Sequence, residues 1–133
     1  MAPVITYVET SAVAKLLFAE PESPALKGFL DQTVNDFGVP YSSILLETEL
    51  RRAALRQGAP QELVTEVIGR FDLVEPDRGI YRQAGLLPGD GVRSLDVIHV
   101  AIALRVGADR FVTYDERQAD AASGAGLAVV APA

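Results

Sequence analysis

Short apolar runs alternate with helical patterns along the whole chain. Five runs rich in β-branched and aromatic residues predict strands, at 4–8, 38–42, 71–75, 110–114 and 127–131. The intervening segments have the apolar spacing of helices, at 12–19, 25–34, 43–57, 60–69, 80–86, 94–107 and 116–123. Strands that alternate with helices are typical of a parallel sheet covered by helices. We therefore predict an α/β fold with a central parallel sheet of about five strands.

Local signals indicate where the helices begin and end. Pro60 is expected in the first turn of its helix, and Ser94 is expected to cap the long apolar helix that ends at Gly107. The least regular stretch, 76–93, contains a PGDGV loop that we predict to be mobile. No repeat, low-complexity tract or linker is present, so residues 1–133 are predicted to form one domain.

Composition excludes several kinds of chemistry. The chain has no cysteine and one histidine, His99, which excludes thiol catalysis and zinc sites built from cysteine and histidine. The net charge of -6 argues against binding polyanions by bulk electrostatics, although ten of the 12 basic residues are arginines, which suit phosphate contacts. No segment reads as a signal peptide or a membrane span, so we expect a cytoplasmic protein that does not enter membranes.

Four acidic residues stand at the ends of apolar segments, where a carboxylate is costly. They are Glu9, Glu49, Asp96 and Asp115. A buried carboxylate without a positive partner costs several kcal/mol or takes up a proton, so a cluster of them would need divalent cations to stay ionised. Glu9 and Asp115 follow predicted strands, and ligands gather at that edge of parallel sheets. A metal-dependent hydrolase is therefore the first hypothesis.

Three of these residues also have a simpler interpretation as parts of helix starts. Glu9 suits the first turn of a helix, where a negative charge interacts favourably with the helix dipole. Asp115 suits a helix N-cap. Asp96 suits an ordinary first turn, although its helix is apolar nearly all round, as expected of a buried element.

Helical spacing separates the two glutamates of the third helix. Glu49 interrupts an apolar stripe, whereas Glu47 lies four residues before Arg51 and suits a surface ion pair. We therefore prefer Glu49 for the pocket. His99 lies three residues after Asp96 and is expected in the core or behind the site, with a role as general base as the alternative.

Small polar residues stand beside the acidic candidates. Thr10, Ser11 and Thr113 are candidates to orient a carboxylate or a metal-bound water. Turn and cap roles are the alternative for each of them, since such residues are common where strands meet helices.

Four phrases together resemble a known family. They are Y-V-E-T-S-A-V-A-K-L-L at 7–17, S-S-I-L-L-E-T-E-L-R-R-A at 42–53, R-S-L-D-V-I-H-V-A-I-A-L at 93–104 and V-T-Y-D-E-R-Q-A-D-A-A at 112–122. In this order, and followed by L-A-V-V-A-P, the phrases resemble the PIN-domain toxins of the VapC type over essentially the whole chain. The resemblance implies a PIN fold whose carboxylates bind Mg2+ or Mn2+ for endoribonuclease activity.

The resemblance also implies a role for each acidic residue. The catalytic positions are Glu9, Glu49, Asp96 and Asp115. Of these, Glu9, Asp96 and Asp115 would hold the metal, with Glu49 acting directly or through water. The first position is usually Asp in the family, and the extra methylene of Glu9 moves its carboxylate outward by about one C–C bond. Because Mg2+ demands near-ideal octahedral geometry, this is where the chain departs most from the family pattern.

The implied reaction is metal-assisted phosphodiester hydrolysis of RNA, in which a cation activates water and stabilises charge on the phosphoryl oxygens. Arginines beside the acidic phrases are candidates to hold the RNA backbone, with ordinary surface positions as the alternative: Arg51, Arg52, Arg93 and Arg117. The family further implies a VapB-type antitoxin that inserts into the toxin, a toxin homodimer, and promoter DNA bound through the antitoxin.

Two other classes of function stay open. A PIN module that binds antitoxin or RNA without cutting would keep the fold, and Glu9 is the residue that favours it. A receiver-like phosphoryl-transfer protein also uses an acidic pocket at strand ends. It would need an aspartyl acceptor and a nearby lysine, for which Lys15 is the candidate.

Overall fold

The structure is a computed structural model that describes residues 3–89 and 91–133. Its strands are β1 (Thr6–Val8), β2 (Tyr41–Ser43), β3 (Asp72–Val74), β4 (Arg110–Val112) and β5 (Ala128–Val130). They form one sheet in the order β3-β2-β1-β4-β5, in which every neighbouring pair is parallel. The predicted α/β fold with about five parallel strands is confirmed.

Helices connect the strands. They are α1 (Thr10–Leu17), α2 (Ser23–Phe37), α3 (Leu45–Gln57), α4 (Gln61–Ile68), α5 (Arg78–Leu86), α6 (Ser94–Arg105) and α7 (Glu116–Gly124). Each corresponds to a predicted helix. The predicted start of α2 was late, because Pro24 lies in its first turn, where the missing N–H is not needed. The predicted mobile loop contains Asp90, which lies outside the described residues.

Two predicted helix starts are wrong by one residue. Ser94 is the first residue of α6, and Arg93 occupies the N-cap without a side-chain capping bond. Pro60 is the N-cap of α4, not a residue of its first turn. In both cases the backbone of the N-cap residue is extended, so α6 begins one residue earlier than a capping serine would place it and α4 begins one residue later than a first-turn proline would place it.

The hydrophobic core has two parts, one on each face of the sheet. Tyr7 and Phe111 point to one face, and their rings stack with centroids 5.4 Å apart. Val8 and Val112 point to the other face, as the alternation of side chains along a strand requires. Helices α1 to α4 pack on the Val8 face, and α5 to α7 pack on the Tyr7 face.

The most apolar helix, α6, is surrounded by protein. It packs against α5, α7 and β2. Five consecutive residues from His99 to Ala103 are buried, as expected from its nearly uniform apolar pattern. Within the ranges that the structure describes, none of the helices is both long and apolar enough to cross a membrane.

The strand order determines where a ligand site can form. The chain adds β2 and β3 on one side of β1 and then crosses over to add β4 and β5 on the other side. In such sheets a crevice opens at the carboxyl ends of the strands where the order reverses. Glu9 directly follows β1 and Thr113 directly follows β4, so both lie at this crevice.

Two glycines are expected to respond oppositely to alanine. Gly58 ends α3 in the left-handed conformation, at φ 75°, which costs an L-residue about 1–2 kcal/mol. Gly28 lies within α2, and a Cβ there meets no atom within 4 Å. In urea unfolding we expect Gly58→Ala to lower the free energy of unfolding by about 1 kcal/mol and Gly28→Ala to raise it by about 0.5–1 kcal/mol. Effects of the same sign would contradict this account.

Candidate active site

Glu9 is buried at the junction of β1 and α1. Its backbone N–H donates to the carbonyl of Val112 (3.1 Å), which ties it to β4. Its carboxylate caps α1, accepting from the N–H groups of Ser11 (3.0 Å) and Ala12 (3.3 Å). The hydroxyls of Ser11 and Thr113 donate to the same carboxylate. Glu9 is thus at the helix start, as its simpler interpretation expected, and also at the crevice.

The surroundings of Glu9 change its acidity. Burial raises the pKa of the Glu9 carboxyl, and the hydrogen bonds from Ser11 and Thr113 only partly oppose this effect. Because both carboxylate oxygens already accept hydrogen bonds from the protein, Glu9 would have to exchange some of them to bind a cation.

Glu49 reaches from α3 towards α1 and α6. Thr10 donates its hydroxyl proton to Oε1 of Glu49 (2.7 Å), and Nε2 of His99 lies 2.9 Å from the same oxygen. Burial by itself would raise the pKa of Glu49, but the bonds from His99 and Thr10 and the nearby charge of Arg93 outweigh it, so the pKa lies below its ordinary value. Glu49 therefore stays ionised at neutral pH.

Asp96 and Asp115 face one cavity of about 500 Å3. The Asp96 carboxylate lies 3.4 Å from Nε of the exposed Arg93. Asp115 is the N-cap of α7 and accepts from the N–H of Gln118 (2.9 Å), so its interpretation as a cap holds together with its place at the cavity. The lining residues are Arg93, Asp96, Tyr114, Asp115, Glu116 and Arg117.

Thr113 connects Glu9 to the wall of this cavity. Its hydroxyl donates to Oε1 of Glu9 (2.8 Å) and accepts from the N–H of Asp115 (3.1 Å). Behind the cavity, the buried amide of Gln118 donates to the carbonyl of Asp96 (3.1 Å). One short network therefore joins the ends of β1 and β4 to the first turns of α6 and α7.

Two buried polar residues of the site escaped the sequence reasoning. Tyr7 on β1 forms a hydrogen bond with Nδ1 of His99 (2.6 Å), and its only sequence signal was a phenol hydroxyl in a largely apolar strand. Gln118 stands three residues after the N-cap Asp115, which is the spacing of a capping box. That spacing could have identified Gln118 as a residue turned towards the helix start.

The donor atoms suit a hard divalent cation but do not form a finished cluster. Carboxylate oxygens are the ligands that Mg2+ prefers, and those of Asp96 and Asp115 face one cavity. Among the residues that the structure describes, no three acidic or histidine side chains are grouped closely enough to hold a metal ion. Asp96 and Asp115 therefore fit the cation in their chemistry. The assignment of Glu9, Asp96 and Asp115 as metal ligands stays a prediction.

Arg51 does not turn towards the cavity. Its guanidinium donates to Glu47 (2.9 Å), to Gln61 (3.1 Å) and to Thr65 (3.0 Å), which joins α3 to α4. The predicted ion pair with Glu47 is confirmed. Because each guanidinium nitrogen already has an acceptor in the protein, Arg51 would have to break these bonds to contact RNA.

The other candidate arginines are more accessible. Arg93 and Arg117 are exposed and line the cavity with Asp96 and Asp115. Arg52 is exposed on α3. Arg93 and Arg117 are therefore the better placed to contact a polyanion that enters the cavity.

The ammonium group of Lys15 contacts residues of the protein itself. Its ammonium group donates to Glu20 (2.8 Å) and Glu22 (3.0 Å) and lies 4.7 Å from the ring centroid of Tyr114. These partners join α1 to the start of α2. The receiver-like hypothesis, which needed Lys15 beside an aspartyl acceptor, receives no support from this arrangement.

The opposite pKa shifts of Glu9 and Glu49 predict opposite effects of neutralising them. The raised pKa of Glu9 means that the folded state binds more protons than the unfolded state between the unfolded pKa, about 4.3, and the folded one. Ionised Glu9 therefore lowers stability at neutral pH. The lowered pKa of Glu49 means that its stabilising effect is present above about pH 4.3 and is lost as the pH falls through the folded pKa.

In metal-free protein at pH 7 we therefore expect Glu49→Gln to lower the free energy of unfolding by about 1.4 kcal/mol per unit of pKa difference between the folded and unfolded states, and this loss should shrink as the pH is lowered to about 4 and below. Glu9→Gln should follow the opposite trend: its stability relative to wild type should rise as the pH rises above about 4.3, because wild-type Glu9 then carries a buried charge. Urea unfolding in EDTA across this range measures both trends. Two variants whose stability relative to wild type changes with pH in the same direction would contradict the prediction.

Comparisons with known proteins agree over almost the whole chain. The PIN domain family matches residues 6–124. Ribonuclease VapC46 of Mycobacterium tuberculosis is 40% identical over 130 residues, which cover 95% of this chain and 96% of that protein. Ribonuclease VapC35 of the same species is 42% identical over 132 residues, with the same coverage.

The fold also has a relative among solved structures. The crystal structure of PAE2754 from Pyrobaculum aerophilum superposes with a TM-score of 0.65 and covers 95% of this chain and 83% of its own. At 18% identity, this likeness concerns the fold alone.

Proposed function

The chain belongs to the PIN domain family, and from this premise we propose that it is the toxin of a type II toxin–antitoxin system, a metal-dependent endoribonuclease of the VapC type. The observation that carries the proposal is the cavity at the carboxyl edge of the sheet. Asp96 and Asp115 line this cavity together with two exposed arginines, Arg93 and Arg117. The identity to proteins named ribonuclease VapC along the whole chain supports it.

We propose Mg2+ or Mn2+ as the cofactor, held by Asp96 and Asp115 with Glu9 as the third ligand. When bound, such a cation supplies Lewis acidity, which lowers the pKa of water and stabilises charge on phosphoryl oxygens. Thr113 holds the Glu9 carboxylate through a hydrogen bond of 2.8 Å. Glu49 adds a negative charge at neutral pH, since its pKa is lowered.

The protein's positive groups act on the substrate. Arg93 and Arg117, on the rim of the cavity, would contact the phosphates on either side of the bond to be cleaved. Such contacts release counterions, so RNA binding should weaken steeply as the salt concentration rises. Arg52, on α3, is a secondary candidate for the same role.

The proposed partners follow from the same assignment. A VapB-type antitoxin would block the cavity, and the pair would bind promoter DNA through the antitoxin. We further propose that the toxin is a homodimer and acts in the cytoplasm, where its RNA substrate is found.

Cleavage of total cellular RNA by the purified, antitoxin-free protein tests the function. We expect discrete fragments with Mg2+ or Mn2+, none with EDTA, and recovery when excess Mg2+ is restored. Cleavage that survives EDTA would contradict metal-dependent hydrolysis. A folded protein that cuts no RNA under any of these conditions would instead support the binding-only PIN module.

A further inference from the structure

A buried chain of hydrogen bonds runs behind the site from β1 through α6 to α3. The hydroxyl of Tyr7 lies 2.6 Å from Nδ1 of His99, and Nε2 of His99 lies 2.9 Å from Oε1 of Glu49. Thr10 donates to the same oxygen at 2.7 Å. Tyr7 and His99 are almost completely buried, so this chain is shielded from water until it reaches Glu49.

The bond to Glu49 indicates which nitrogen of His99 carries the proton. An ionised carboxylate only accepts hydrogen bonds, and Nε2 lies 2.9 Å from Oε1 of Glu49, so Nε2 is the donor. The hydroxyl of Thr10 also lies 3.1 Å from Nε2, but it donates its own proton to Glu49 and therefore can only accept from His99. In a neutral His99, Nδ1 is then an acceptor, and the phenol of Tyr7, 2.6 Å away, donates to it.

The surroundings hold this arrangement in place. The ring of Tyr7 stacks on Phe111 with centroids 5.4 Å apart and meets the ring of His99 edge to face at 5.9 Å. On the other side of His99, the bonds to Glu49 from His99 and Thr10 both fall on Oε1. These two bonds fix Oε1 of Glu49, so Oε2 is the oxygen that can take part in the active site.

We propose that His99, held by Tyr7 as its Nε2–H tautomer, is a positioning residue that fixes the carboxylate of Glu49 for RNA cleavage. The inference rests on the proposed nuclease function. Partners that orient acidic groups at metal sites typically contribute about 10–100-fold to activity when they are tested by mutation. We expect Tyr7 and His99 to contribute a factor in this range to the rate of RNA cleavage without touching the RNA.

The tautomer can be read directly, because His99 is the one histidine in the sequence. Long-range 1H–15N correlation spectra of the labelled, metal-free protein, recorded at a pH where the imidazole is neutral, should show Nε2 protonated and Nδ1 unprotonated. Tyr7→Phe should change the Nδ1 signal, because it removes the donor and keeps the ring. Tyr81→Phe, which alters an exposed tyrosine on α5, should leave the spectrum unchanged. A neutral His99 that carries its proton on Nδ1 in the wild type would overturn the proposal.

Kinetics test the positioning role. We expect Tyr7→Phe to lower kcat for RNA cleavage about tenfold at unchanged KM, and His99→Leu to lower it about 100-fold. His99→Gln should recover part of that loss, because its amide N–H can still donate to Glu49. A purely packing role would give no such recovery, and equal activity of Tyr7→Phe and wild type would also contradict the proposal.

The two readouts separate this inference from the function on which it rests. A wild-type protein that shows the Nε2–H tautomer but cuts no RNA would contradict both the nuclease function and the positioning role built on it. A wild type that cuts RNA while its neutral His99 carries the proton on Nδ1 would contradict the positioning proposal alone.

Discussion

Asp96→Asn is expected to lower the rate of metal-dependent RNA cleavage by about 100-fold or more while the protein stays folded. Asparagine has nearly the same shape but lacks the negative charge that a divalent cation requires. Metal ions contribute several kcal/mol to stabilising transition-state charge, and each 1.4 kcal/mol is a factor of about ten in rate. The folded state loses little, because the only ion pair of Asp96 in the described structure is with the exposed Arg93 at 3.4 Å, and such pairs are worth about 0–1 kcal/mol.

The rate on a defined RNA fragment and a calorimetric titration with Mg2+ measure this effect together. Asp31→Asn is a matched control, because Asp31 is an exposed acid on α2 outside the lining of the cavity. We expect the control to cleave RNA and bind Mg2+ like wild type, and Asp96→Asn to do neither. An Asp96→Asn protein with wild-type cleavage would remove Asp96 from the site.

Asp115→Asn is expected to cause a similar loss of cleavage with almost no loss of stability. Asp115 caps α7 through its bond from the N–H of Gln118, and asparagine is an equally good N-cap residue. Asp115→Ala should lose cleavage and, in addition, about 1 kcal/mol of stability, because alanine cannot cap. The pair of variants therefore separates the two roles of one side chain.

Urea unfolding and RNA cleavage, measured on both variants, distinguish the possible results. If Asp115 were only a cap, Asp115→Asn would cleave RNA normally and Asp115→Ala would be less stable but active. Loss of cleavage in both, with reduced stability in the alanine variant alone, is the result that the proposed site requires.

The sequence predicted most of the secondary structure because apolar period and turn residues are local signals. It also indicated that Glu9 and Asp115 follow strands. It could not show that β4 lies beside β1, since strand order depends on the packing of the whole chain. The sequence therefore could not predict the hydrogen bond between Thr113 and Glu9, which are 104 positions apart.

Side-chain direction was the second limit. The spacing of Glu47 and Arg51 gave their ion pair correctly, but the further bonds of Arg51 to α4 depend on how two helices pack. Likewise, the phrase E-T-S-A does not reveal that the carboxylate of Glu9 caps the helix that follows it. A capping carboxylate has fewer lone pairs left for a cation, and the contacts that use them appear only in the folded structure.

The pairing of β1 with β4 has a consequence for the protein during its synthesis. Thr6 pairs with Arg110, so the two central strands come from opposite ends of the chain. A nascent chain that has emerged only as far as α5 contains Glu9 and Glu49 but neither Asp96 nor Asp115. Contacts between such distant segments also form late in folding. With Asp96 and Asp115 as the proposed metal ligands, the nascent protein has no complete site for RNA cleavage until most of the chain has been synthesised.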